Sequence, residues 1–218
     1  MKKLFFTMAI IAGGLCFTSC EETVEAIVNE LTGNATTSVE GEDPISFTAS
    51  MAMTKEVEVE EEKAMTYTIG LAMSMSISDL LNMNDSSSIV FPMMAYRITG
   101  LVSEGNSYTV DNVLTTDEVL TLDYRSLFNG KFAGRHLVGM AVSKTKFYIM
   151  KTGTINITEV TGNKICGTFS GNAYTVDRQA DPVVDFSQTV AFSGSFASRT
   201  TTMLGWIVNM QDEQTEDN

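Results

Sequence analysis

The feature that most constrains this chain is a long, strict alternation beginning at Ile45. The odd positions read Ile45, Phe47, Ala49, Met51, Met53, Lys55, Val57 and Val59, while the even ones are small or, from Glu56 to Glu60, acidic. After Glu60-Glu61-Glu62 the odd positions carry Met65, Tyr67, Ile69, Leu71, Met73, Met75 and Ile77, with Thr66, Thr68, Gly70, Ala72, Ser74 and Ser76 between them. A period of two predicts two β-strands, each with one buried face. Parity then fixes the register. Opposed residues of an antiparallel pair project to the same face, so odd must meet odd. A loop at 60–62 achieves this and pairs Met53 with Ile69 and Met51 with Leu71, whereas a two-residue loop sets Met against Thr. Strands this long predict a curved or closed sheet, or a bulge.

Further hairpins follow. Met93 to Val102 and Ser107 to Leu114 flank Glu104-Gly105-Asn106, and Leu137 to Val142 and Lys146 to Met150 flank Ser143-Lys144-Thr145. Gly153 to Val160 and Lys164 to Ser170 flank Thr161-Gly162-Asn163, a Gly-Asn turn between alternating β-branched runs. Met203 to Val208 suits a last strand. At 115–130 both a helix capped near Thr116-Asp117-Glu118 and a strand fit, and the alternation of Val119, Thr121 and Asp123 with Leu120, Leu122 and Tyr124 favours the strand. Asn34 to Pro44 is polar and reads as a linker. Val24, Ile27, Val28 and Leu31 share one face of a short helix stopped by Gly33. The class is all-β and antiparallel, a calycin-like barrel or a sandwich built from long hairpins.

The N-terminus carries an address. Met1-Lys2-Lys3 precedes an apolar run from Leu4 to Leu15, shorter than the ~20 residues of a bilayer span and laid out as an export signal. Phe17-Thr18-Ser19-Cys20 then sets two small residues before a cysteine, which resembles the lipobox of lipoproteins of the Bacteroidota type. The resemblance implies cleavage before Cys20, acylation of that residue and attachment to the outer membrane, each buried CH₂ contributing about 0.8 kcal/mol. Glu21, Glu22 and Glu25 follow; in that group such a cluster can direct display at the cell surface, and the alternative reading is a solvated acidic tether. The stretch from Gly153 to Ser170, with Val190 to Phe196 behind it, is similar to C-terminal repeats of uncharacterised lipoproteins of that group; this implies a β fold and transfers no activity. The expected boundaries are 1–19 for the signal, 20–43 for acylated cysteine and tether, 44–210 for a single all-β domain and 211–218 for an acidic tail.

Charge and cysteine content narrow the function. Loss of 1–19 removes Lys2 and Lys3 from the 14 basic residues, leaving 12 against 27 acidic ones, a formal −15. Such a field argues against nucleic acid as a partner and against lying flat on an anionic leaflet. With Cys16 cleaved and Cys20 acylated, Cys166 stands alone. No disulfide can form within the chain, and Cys166 in an alternating run reads as a small buried hydrophobe.

Catalytic patterns are few. His136 is the only histidine, which rules out multi-His zinc sites within one chain, and it reads as a surface residue. Gly-x-Ser-x-Gly and phosphate-loop signatures are missing. The glutamates at 56–62, and Asp177, Asp181 and Asp185 around Pro182, are acidic groupings that read as solvated strand and loop, so no metal and no cofactor is expected. The compositional departure is methionine. Met51, Met53, Met65, Met73 and Met75 share the buried parity of the first hairpin, and polarizable, flexible Met lines adaptable apolar walls. These five are the candidate ligand contacts of a barrel that holds an apolar small molecule; the alternative reading, which the residues favour, is a core simply filled with Met. Trp206 reads as core or lid. The expected function is a non-enzymatic binding lipoprotein that meets its membrane through Cys20, with an apolar small molecule inside the barrel as the sharper form. A fimbrial-type assembly subunit is the second class, and a glycan-active enzyme the third.

Overall fold

A computed structural model describes residues 33–59, 63–74, 91–121, 132 and 134–200. Among these residues there are ten strands and one short helix: β1 (Gly33–Val39), β2 (Ile45–Phe47), β3 (Ala49–Val59), β4 (Lys63–Met73), β5 (Met93–Thr99), β6 (Ser107–Asp111), α1 (Thr116–Thr121), β7 (Leu137–Ala141), β8 (Lys146–Thr161), β9 (Lys164–Asp177) and β10 (Val190–Thr200). Hydrogen bonds run from β3 through β4, β5, β7, β8 and β9 to β10, and β10 returns to β3 at Arg199 and Thr200, so the path closes. That closing contact is parallel and all others are antiparallel. Strand β10 bonds β1 along its first part, and β8 bonds β6 along its last, so both outer partners hang from strands of the ring.

The first hairpin has the expected register, with Met53 opposite Ile69 and Met51 opposite Leu71. Both of its faces are buried along 49–52 and 67–73, and this separates the fold from the sequence reading. Even positions Ala52, Ala72, Met94, Tyr96 and Ile98 point into the ring, where they meet Phe47, Phe169, Phe192 and Phe196. Odd positions Tyr67, Ile69, Leu71, Met73, Met93 and Ala95 point out of the ring into a second apolar layer, with Val119, Phe132 and Val184 laid over it. Small residues at 70 and 72 make room inside for large ones: the Tyr96 ring lies on Gly70 and stacks on Phe196 at 4.2 Å.

Four local expectations are corrected. Residues 33–39 form β1, paired with β10, rather than a linker; Ala35, Thr37 and Val39 are its buried face, so the domain begins before residue 44. The run from Ile45 breaks at Thr48, because β2 pairs with β1 while β3 pairs with β4. The segments at 93–102 and 107–114 do not form a hairpin: β5 lies between β4 and β7, and β6 lies on β8. Residues 116–121 are helix α1. The Thr115 hydroxyl accepts from the Glu118 N–H at 3.2 Å while the Glu118 carboxylate accepts from the Thr115 N–H at 2.8 Å. This reciprocal cap outweighs the strand-like alternation.

The hairpins around 143–145 and 161–163 form as expected, but their inner strands are one strand, β8, with a register shift against β9 between Met150 and Thr152. The extra residue reverses parity: Tyr148 and Met150 face inward before it, Ile155 and Ile157 after it. The helix at 24–31, the strand at 203–208 and Trp206 lie outside the described residues.

Candidate ligand-binding site

Within the outer layer, strands β5, β7 and β8 run side by side with Met93 opposite Ala141, Ala95 opposite Gly139, and Gly139 opposite Ile149. The outward side chains of the middle strand are therefore small where its neighbours are large. A trough results between Met93 on one wall and Phe147 and Ile149 on the other. It opens into a cavity of about 120 Å³, with Phe91 and Leu137 completing its apolar lining and Ser143, Lys144 and Arg178 supplying polar groups. That is room for several waters or an equivalent length of hydrocarbon.

The polar groups are placed by the β7–β8 turn and the end of β9. Ser143 Oγ accepts from the N–H groups of Thr145 and Lys146 at 3.2 and 3.1 Å, which closes the turn and presents Lys144 to solvent. Arg178 donates its backbone N–H to the Thr145 carbonyl at 2.9 Å, and its guanidinium lies 5.2 Å from the Phe147 ring centroid. Lys146 is committed elsewhere. Its Nζ donates to Glu42 Oε1 at 2.6 Å, and Tyr148 OH donates to the same oxygen at 2.5 Å. Those bonds hold Glu42 below the ordinary carboxylate range and raise Lys146. Lys144 makes no ion pair among the described residues.

The methionines named from sequence lie on this outward face but not at the cavity. Met53 and Met65 pack on the outer layer, Met73 is buried in it, and Met51 shares their face through its partner Leu71. Met75 lies outside the described residues. The placement corrects the expectation that this parity lines the barrel interior. Period two separates two faces without saying which is concave, and the second layer comes from residues far away in sequence. Met93, the register partner of Met73, is the methionine whose outward side chain reaches the cavity wall.

Other candidates have structural roles. Asp177 and Asp185 accept from the N–H groups of Gln179 and Ser187, both at 2.9 Å, and so cap their own turns. Glu60, Glu61 and Glu62 lie outside the described residues, and Glu56 and Glu58 are described for their backbone alone. Among the described residues no three His, Cys, Asp or Glu side chains gather. Cys166 is half-buried rather than buried, its Sγ 3.4 Å from Glu159 Oε2, and burial raises its thiol, which disfavours a nucleophile.

Two buried polar residues escaped the sequence reading. Arg97 is fully buried, donates to the Phe132 carbonyl at 2.6 Å and lies 4.7 Å from the Tyr67 ring centroid, and burial lowers it to about 10. Asn112 holds a strand junction. Neither lies in a recognisable motif; Arg97 sits at an outward position of β5, after the apolar outward residues Met93 and Ala95.

His136 is half-buried rather than a surface residue. Its Nδ1 accepts from the Thr99 N–H at 3.2 Å and its ring meets the edge of Tyr108. Burial first and the Arg97 charge second lower its affinity for a proton. A depressed folded value means that the neutral ring's contribution is fully present above the unfolded histidine value of ~6.5 and is lost as pH falls through the folded value. Thermal melts from pH 7.5 to 5 are expected to show a loss of stability that His136→Gln removes in part. Parallel pH profiles for the two proteins would overturn this assignment.

No protein-family model matches the chain, and comparison with curated proteins and with solved structures returns no match, so the cavity and its lining carry the functional reading.

Proposed function

We propose that this protein is a lipid-anchored outer-membrane or cell-surface protein, acylated at Cys20, that binds an apolar small molecule without chemical turnover. The observation that carries the binding reading is the cavity over β5, β7 and β8, a trough with apolar walls and a restricted polar end. Tyr96, Phe169, Phe192 and Phe196 pack inside the ring, which favours a binding place on the barrel's flank over one in its interior. Among the described residues the lining carries no carboxylate, which weighs against a glycan-cleaving pair. Among the described residues the terminal strands β2 and β6 are three and five residues long, which weighs against an edge that accepts a neighbour's strand.

Fractionation of the native host tests the anchor. The wild-type chain is expected in the outer membrane with an acylated N-terminal cysteine, and Cys20→Ala is expected to release it. An unacylated, soluble wild-type chain would overturn the anchor. Native mass spectrometry of the released chain tests binding: a co-purified adduct of lipid size is expected. A bare mass that no apolar compound shifts would overturn it.

A further inference from the structure

We infer that the cavity faces away from the membrane that holds Cys20 and takes its apolar ligand from the aqueous side rather than from the leaflet beneath; this rests on the anchor and the binding reading above. Strand register carries it. Gly33, where the tether from Cys20 enters the domain, lies opposite Ser198, Ser198 opposite Ile165, and Ile165 opposite Val160, so the tether joins at the β8–β9 turn end of the ring. The cavity lies at the other end, where its wall residues Ile149 and Phe147 pair with Tyr174 and Val176. Nine to eleven residues of β9 separate the two levels, about 30–36 Å of extended strand. Around the ring the order is β3, β4, β5, β7, β8, β9 and β10, which sets β5 and β7 each three strands away from β10, the strand that carries β1. The trough is thus remote from the tether both along the ring and around it. Thirteen residue steps join Cys20 to Gly33, a reach of at most about 45 Å. A path that brings the trough down to the leaflet runs about 35–40 Å over the domain surface, most of that reach, and drawing a chain so nearly straight is costly in conformational entropy. With the tether end down, the chain has only to clear the β3–β4 hairpin, which runs on from Ala52, level with Thr200, to Val59, about 23 Å. The excess of acidic residues repels an anionic surface and supplies no adhesion to offset the stretching.

Energy transfer to a lipid-headgroup dye tests the inference on the acylated chain held in phosphatidylcholine vesicles. With Cys166→Ser removing the native thiol, one donor fluorophore is placed on Lys144→Cys, beside the cavity, or on Lys63→Cys, which pairs with Val59 at the tip of the β3–β4 hairpin. Transfer from the Lys63→Cys label is expected to exceed that from the Lys144→Cys label several-fold, with circular dichroism confirming that each variant is folded. Equal transfer, or more from the Lys144→Cys label, would overturn the inference and make the leaflet beneath the source of the ligand. Vesicles that fail to retain the wild-type chain would overturn the anchor and the inference with it. Titration of the mature Cys20→Ala chain with decanol tests the binding reading separately: binding is expected, and Ala141→Phe, which fills the trough, is expected to abolish it. Decanol binding that Ala141→Phe leaves unchanged would overturn the cavity as the binding place, and the transfer pattern would then describe the pose of the domain alone.

Discussion

Gly70→Ala is expected to destabilise the protein by about 3 kcal/mol or more, far beyond the ~1 kcal/mol effect of a typical single substitution. A Cβ at this position would overlap the Tyr96 ring, which lies directly against the Gly70 backbone. The ring has little freedom to yield. It is fully buried, stacks on Phe196 at 4.2 Å and donates its hydroxyl to Ser198 at 2.9 Å, and Ser198 in turn bonds Ser50 at 2.7 Å. Moving the ring would therefore break the stack and leave buried hydroxyls without partners, each costing about 1–3 kcal/mol. Urea unfolding measures the loss. Gly70→Ala combined with Tyr96→Leu is expected to be less destabilised than the two single effects added together, because the collision disappears when the ring does. A Gly70→Ala protein with an unchanged midpoint would show that the interior has spare volume, and a ligand inside the ring would again be the better functional reading.

The same glycine shows why the sequence disclosed the strands but not their orientation. Ser50, Ala52, Thr68, Gly70 and Ala72 look like a solvent face because they are small or polar. They face the ring interior because Tyr96 and Phe196 arrive from β5 and β10 to fill the space they leave. Apolar Met53, Ile69 and Leu71 look like the only core, yet they are covered from outside by residues as distant as Val119 and Val184. Alternation is a local property, and together with the short loop at 60–62 it disclosed the register of the first hairpin. Concavity depends on which remote segment covers which face. Strand β1 was hidden for a related reason: its buried Thr37 donates to Met140 Sδ at 2.8 Å, so a polar residue does the work of a core position. The cavity joins Met93, Lys144 and Arg178 through register alone, and no spacing in the sequence connects them.

Asn112→Ala is expected to cost about 2–4 kcal/mol, because it removes donors from two carbonyls at a junction that strand pairing leaves open. Along β8 the partner on one side changes from β7, bonded at Phe147 to Ile149, to β6, bonded from Thr152 onward. Between them the register shift against β9 displaces Lys151. Asn112 spans the gap. Its backbone N–H donates to the Lys151 carbonyl at 2.7 Å, and its Nδ2 donates to the carbonyls of His136 at 3.0 Å and Met150 at 3.1 Å. With 1 % of its surface exposed, the site offers water poor access to replace those donors. Asn112→Asp is expected to be at least as harmful, since it sets a carboxylate against the same two carbonyls. The junction also bears on the cavity. The bulge lets Phe147 and Ile149 face outward while Ile155 and Ile157 face inward on the same strand. Loss of the clamp is therefore expected to raise amide hydrogen exchange first at 149–152 and to weaken binding of an apolar ligand at the cavity, although Asn112 lies off the cavity lining. Wild-type stability and exchange in Asn112→Ala would mean that the bulge is held by the β8–β9 ladder alone, and the amide would have no part in shaping the trough.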